Sequence, residues 1–114
     1  MTLLSILKIV AAAGTILTGL VAAVRPLSVK GFTGLELPGP RGITEVRSIL
    51  GGLFIALGAT PLILNEPATF QMLGIAYLGI AAVRLVAMFI DRSVERSNII
   101  SLVVEIVFGV ILVL

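Results

Sequence analysis

The chain contains no cysteine, no histidine and no tryptophan. Without cysteine it forms no disulfide, carries no thiolate nucleophile and holds no iron–sulfur cluster. Without cysteine or histidine the usual zinc sites are closed to it. Histidine-ligated haem or chlorophyll is excluded within the chain, and every serine lacks the imidazole base that a Ser/His/Asp nucleophile needs. Charge is scarce too: 12% of the 114 residues are charged and 59% are hydrophobic. An average soluble domain carries roughly 25% charged residues. A soluble chain this short buries only about two-thirds of its surface, too little to hide so much apolar area, so the bilayer must cover it. The net charge of +2 is too small and too scattered for a nucleic-acid surface. It suits a protein whose few cations face anionic lipid headgroups.

What is present is a set of four long apolar runs, which predicts an all-α, four-transmembrane-helix bundle in a single domain over residues 1–114. The first run, 3–24, rises about 33 Å as a helix, enough for a hydrocarbon core of about 30 Å. No cation precedes it and Lys8 interrupts it, which sets it apart from a secretory signal peptide. Lys8 is expected to snorkel to the nearby headgroups. The other spans are expected at 43–64, 67–90 and 95–114. Pro61 is expected to kink or end the second span, and Pro67 to open the third from a first-turn position. The linker 25–42 holds four glycines and three prolines and reads as loop, with a short interfacial turn around Phe32 and residues 35–37. A second linker occupies 91–97.

Charge placement orients the spans. Arg25, Lys30, Arg41, Arg47, Arg92 and Arg96 lie on or beside the two linkers, and only Lys8 lies toward the other side. The positive-inside rule then puts both linkers in the cytoplasm and both termini outside the inner (plasma) membrane. Arg25, Lys30, Arg41, Arg92 and Arg96 are candidates for headgroup binding, beside their plainer role of setting orientation. One internal echo, Ala-Ala-Val-Arg at 22–25 and again at 81–84, is what a duplicated helical hairpin would leave.

Small residues recur at helical spacing: Ala11, Thr15, Gly19 and Ala23 in the first span, Ser48, Gly52 and Ala56 in the second. Gly74, Gly79, Ala81 and Ala82 follow in the third, and Ser101, Glu105 and Gly109 in the fourth. Helices in lipid pack through such residues. The ladders serve either packing within the chain or contact with a second subunit.

Four charges fall inside or at the edge of the apolar runs: Glu45, Arg47, Arg84 and Glu105. Unpaired, an arginine near mid-bilayer costs at least about 2.5–3.5 kcal/mol on insertion scales. Glu45 and Arg47 are two residues apart and point to different helix faces, so each needs a partner elsewhere. The economical scheme pairs Glu105 with Arg84 or Arg47, and Glu45 with the remaining arginine. Tyr77, two turns before Arg84, and Ser101, one turn before Glu105, are placed to donate to such a network. The cluster is then either an ion-pair network that fixes helix register or a polar cavity for a proton, ion or headgroup.

The pattern Glu45-x-Arg47-x-x-x-Gly51-Gly52, with Arg84 in the third span and Glu105 in the fourth, resembles a family of small bacterial four-helix membrane proteins described as a domain of unknown function. Val83 stands where that family tends to have glycine. The resemblance implies the four-helix architecture and singles out the charge cluster; it implies no activity. Small multidrug-resistance exporters also have four spans in a chain of this size, but their essential glutamate lies in the first span, where this chain has only Lys8.

These readings point to a non-enzymatic protein with no cofactor. It would be an accessory, scaffold or lipid-contacting subunit, partnered by membrane lipids and by other membrane proteins or copies of itself. The alternative is a small transporter or proton-linked channel that uses the Glu45, Arg47, Arg84 and Glu105 cluster.

Overall fold

The computed structural model describes residues 2–114, which are all-α, with no strand among the described residues. Four helical stretches are long and apolar enough to cross a membrane: Leu3–Val24, Pro40–Leu64, Pro67–Ile90 and Arg96–Val113. The chain divides into two compact units. One is Ala12–Asn65; the other comprises residues 2–11 and Glu66–Leu114.

Ala12–Asn65 contains most of helix α1 (Leu3–Val24), a 3-10 turn at Pro26–Ser28, helix α2 (Val29–Thr33), and the stretch Pro40–Leu64. That last stretch begins at Pro40, ahead of the expected residue 43. Gly39 is fully extended and Pro40 occupies the first turn, where its missing N–H would have had no partner anyway. Arg41, expected in the linker, is therefore helical. Most of the linker is folded as well. Val29 is fully buried and packs with Ala22 and Val46, and Leu37 and Leu50 lie against this cluster. Gly34 ends α2 at φ 75°, with its N–H on the Lys30 carbonyl at 2.9 Å. The interfacial turn expected around Phe32 and residues 35–37 is thus a helix centred earlier in the chain, with Phe32 and Leu35 left exposed.

The stretch Pro40–Leu64 is not one uniform helix. It consists of α3 (Pro40–Val46), a π-helical segment (Arg47–Leu53) and α4 (Phe54–Leu64). The helix continues through buried Pro61 to Leu64, where Asn65 turns left-handed at φ 53° and returns its N–H to the Pro61 carbonyl at 2.9 Å.

Glycines let α1 and this stretch approach backbone to backbone. A Cβ on Gly58 would fall 2.6 Å from the Ala12 carbonyl oxygen. One on Gly19 would fall 2.7 Å from the Gly51 carbonyl, and one on Gly51 would fall 2.8 Å from the Ala23 Cβ. The face used is that of Gly51 and Gly58. Ser48, Gly52 and Ala56, expected to form the packing ladder, are exposed, and a Cβ on Gly52 would meet nothing within 4 Å. Small residues stand on two faces of this stretch, and the face bearing Gly51 and Gly58, seven residues apart, is the one turned to α1.

In the second unit, α5 (Pro67–Ile90) buries Phe70, Leu73, Gly74, Tyr77, Ala81 and Met88. Helix α6 (Arg96–Val113) buries Glu105, Gly109 and Leu112. These positions follow spacings of three, four and seven residues, which line them on one face of each helix. Gly74 and Gly109 form the close approach: a Cβ on Gly74 would lie 2.9 Å from the Gly109 carbonyl oxygen. Gly79 and Ala82 are exposed. The turn between the helices is closed by backbone bonds. Ser93 N–H reaches the Met88 carbonyl at 2.9 Å around Arg92, which sits left-handed at φ 51°. This is the six-to-one bond of a Schellman cap, in which glycine ordinarily holds the left-handed position.

Candidate functional site

Arg84 and Glu105 meet face to face. Arg84 Nε donates to Glu105 Oε1 at 2.8 Å and Nη2 donates to Oε2 at 2.7 Å. This two-bonded fork matches the planar guanidinium to the carboxylate, the strongest form of the pair. The two residues fall on the facing sides of α5 and α6 because each continues its helix's buried periodicity: Ala81, Arg84, Met88 on one, Glu105, Gly109, Leu112 on the other. The third arm of the guanidinium, Nη1, donates to Asn98 Oδ1 at 2.9 Å, and Asn98 Nδ2 donates onward to the Ser93 carbonyl at 2.8 Å. A continuous chain of bonds therefore runs from Glu105 through Arg84 and Asn98 into the α5–α6 turn. Tyr77 is buried one helical face along, edge-on to Phe108 with ring centroids 5.6 Å apart. Ser101 is half-buried on the inward side of α6.

Glu45 and Arg47 are engaged within Ala12–Asn65. Arg47 Nη1 donates to the backbone carbonyl of Ala23 at 2.6 Å, in the last turn of α1. The final carbonyls of a helix lack intrahelical partners and carry partial negative charge, so a cation is favoured there. Glu45 pairs with Arg41, one turn earlier on its own helix. Both side chains are more than half exposed, and such surface pairs contribute little stability. The expected assignment of Glu45 to an arginine within a span thus gives way to a local i,i+4 pair, made available because the helix starts at Pro40.

The other cations of the two linkers lie at helix ends and turns, and Lys8 lies within α1. Lys30 pairs with Glu36 at 2.9 Å across exposed surface. Arg25 follows α1 directly, Arg92 sits in the α5–α6 turn and Arg96 opens α6. All three are exposed.

An open groove of about 600 Å³ lies beside Arg84. Gly79, Ile80, Val83, Ala87 and Met88 form its apolar wall, and Arg84, Asp91, Ser93 and Asn98 its polar end. No buried side-chain nitrogen or oxygen lacks a hydrogen-bond partner among the described residues.

Three participants escape a reading of the sequence: the Ala23 carbonyl, Asn98 and Ser93. Asn98 carries a legible signal, since it lies two helical turns before Glu105 on the same face of α6. The Ala23 carbonyl carries none, because a backbone acceptor leaves no mark in side-chain chemistry.

The family model described as "Domain of unknown function (DUF4345)" matches residues 3–114. No curated protein matches the chain, and no solved structure does.

Proposed function

The chain belongs to the DUF4345 family, and from that premise we propose that it is a small non-enzymatic membrane protein acting as an accessory or scaffold subunit in contact with lipid. The observation that carries this reading is the engagement of the charges inside the spans. Arg84 and Glu105 tie α5 to α6, and Arg47 ties the π segment to α1. Charges used in this way fix helix register. The exposed small residues Ser48, Gly52 and Ala56 agree with a helix face available to a neighbouring transmembrane helix.

In this reading both termini lie outside and the linkers 25–42 and 91–97 lie in the cytoplasm, the membrane being the inner (plasma) membrane. The support is the concentration of Arg25, Lys30, Arg41, Arg47, Arg92 and Arg96 beside those linkers. A reporter fused to the C-terminus tests the orientation, and activity of a cytoplasm-specific reporter there contradicts it. The role itself is tested by gentle purification from native membranes. Co-purification with other membrane proteins in fixed stoichiometry supports it; a lone homo-oligomer contradicts it.

One observation favours a second reading, a small transporter or proton-linked channel: the open groove reaches the Arg84–Glu105 pair. In that case Glu105→Gln abolishes flux in proteoliposomes while the protein still assembles.

A further inference from the structure

We propose that the groove beside Arg84 binds one zwitterionic glycerophospholipid with a primary ammonium headgroup. Its phosphate would sit on the guanidinium and its ammonium on Asp91. The proposal rests on the four helices lying in a membrane, and not on the accessory role.

Donor count is the first argument. A guanidinium has five N–H groups. Nε and Nη2 each give one to Glu105, and Nη1 gives one to Asn98. Two N–H groups are left over, and the Arg84 side chain is 30% exposed where it lines the groove. In hydrocarbon an unanswered donor is costly, so an acceptor supplied from the groove side is favoured. Phosphate oxygens match that demand, since arginine recognises phosphate with paired N–H bonds.

Shape is the second argument. From Ile80 to Asp91 the groove follows about 16 Å of helix. It runs from the turn at one end of α5 toward the interior of the span. The wall interior to Arg84 is Gly79, Ile80 and Val83, with Val83 71% exposed. Along α5 from the turn inward come Asp91, then Arg84, then Val83 and Ile80, the order of ammonium, phosphate and acyl chain in such a lipid. The volume of about 600 Å³ lies within the range of small-molecule sites.

Charge selects the headgroup. Glu105 already neutralises Arg84, so the uncompensated charge in the groove lining is the Asp91 carboxylate. Asp91 is exposed at the end of α5 and makes no ion pair among the described residues. Arg92 and Arg96 belong to the same turn region and lie outside the lining. A lipid with a phosphate and no headgroup cation would bring a second negative charge beside Asp91. A primary ammonium answers Asp91 with both charge and N–H donors.

The test uses the full chain, delipidated in mild detergent and offered phosphatidylethanolamine or phosphatidylglycerol, with retained lipid read by native mass spectrometry. The expected result is one retained phosphatidylethanolamine per chain, favoured over phosphatidylglycerol by about tenfold or more. Asp91→Asn is expected to erase the preference, and Val83→Trp to displace both lipids. Both substitutions lie on exposed positions and leave the Arg84–Glu105 fork in place; circular dichroism checks retained helicity. Equal retention of the two lipids by the wild-type chain overturns the proposal, as does undiminished phosphatidylethanolamine binding by a helical Val83→Trp variant. Neither result bears on co-purification with partner proteins, so the two readings fail separately.

Discussion

Arg47 and Gly51 grip the same residue: the Arg47 guanidinium donates to the Ala23 carbonyl at 2.6 Å, and the absent side chain of Gly51 leaves room for the Ala23 methyl. The two belong to the π-helical segment Arg47–Leu53, whose geometry turns both toward the end of α1. The arginine and the first glycine of the Glu-x-Arg-x-x-x-Gly-Gly pattern thus work together as a clamp on one turn of a neighbouring helix.

Removing the polar half of that clamp should weaken the unit modestly. Arg47→Ala is expected to lower unfolding stability in detergent by about 1.5–3 kcal/mol, the range for a hydrogen bond with a charged donor. Arg47→Lys should retain part of it, because a single N–H donor satisfies a carbonyl.

The two adjacent glycines should behave differently. Gly51→Ala places a methyl 2.8 Å from the Ala23 Cβ and is expected to cost about 1–3 kcal/mol through overpacking. Gly52→Ala meets nothing within 4 Å and should be neutral or slightly stabilising, since alanine favours helix over glycine. Thermal unfolding of the pair in one detergent checks the contrast.

That contrast also marks where sequence stops being informative. The limits of the third span were readable because Pro67 fixes its start and Asp91-Arg92 its end. The start of the second is not legible: Pro40 follows a run of loop residues, and only the extended backbone at Gly39 makes it a first-turn proline and brings Arg41 one turn before Glu45. Nor is the inward face of the second span legible, because small residues stand on two of its faces, Ser48, Gly52 and Ala56 on one and Gly51 and Gly58 on the other, and spacing does not choose between them. Arg84 and Glu105 were legible as needing a partner, since two charges in apolar runs have few ways to be tolerated. The extension through Asn98 to Ser93 depends on the backbone path of the turn.

The turn itself offers a gain in stability. Arg92 occupies the left-handed position at φ 51°, a conformation that costs an L-residue roughly 1–2 kcal/mol. Arg92→Gly is expected to raise the melting temperature, although glycine's greater freedom in the unfolded chain offsets part of the gain.

Asn98 joins the fork to the turn, so Asn98→Ala should leave α5 and α6 paired while loosening the connection between them. The expected readout is faster amide hydrogen exchange over residues 91–97, with protection near Glu105 retained.

The central claim is that the charges within the spans hold helices together, and a double-mutant cycle on Arg84 and Glu105 tests it most directly. Arg84→Met and Glu105→Met should each destabilise the protein by about 3–5 kcal/mol, because each leaves an unpaired charge between helices. The double variant should recover most of that loss, which is a large coupling between the two positions. Additive losses, or a Glu105→Met variant as stable as the wild type, would contradict the account.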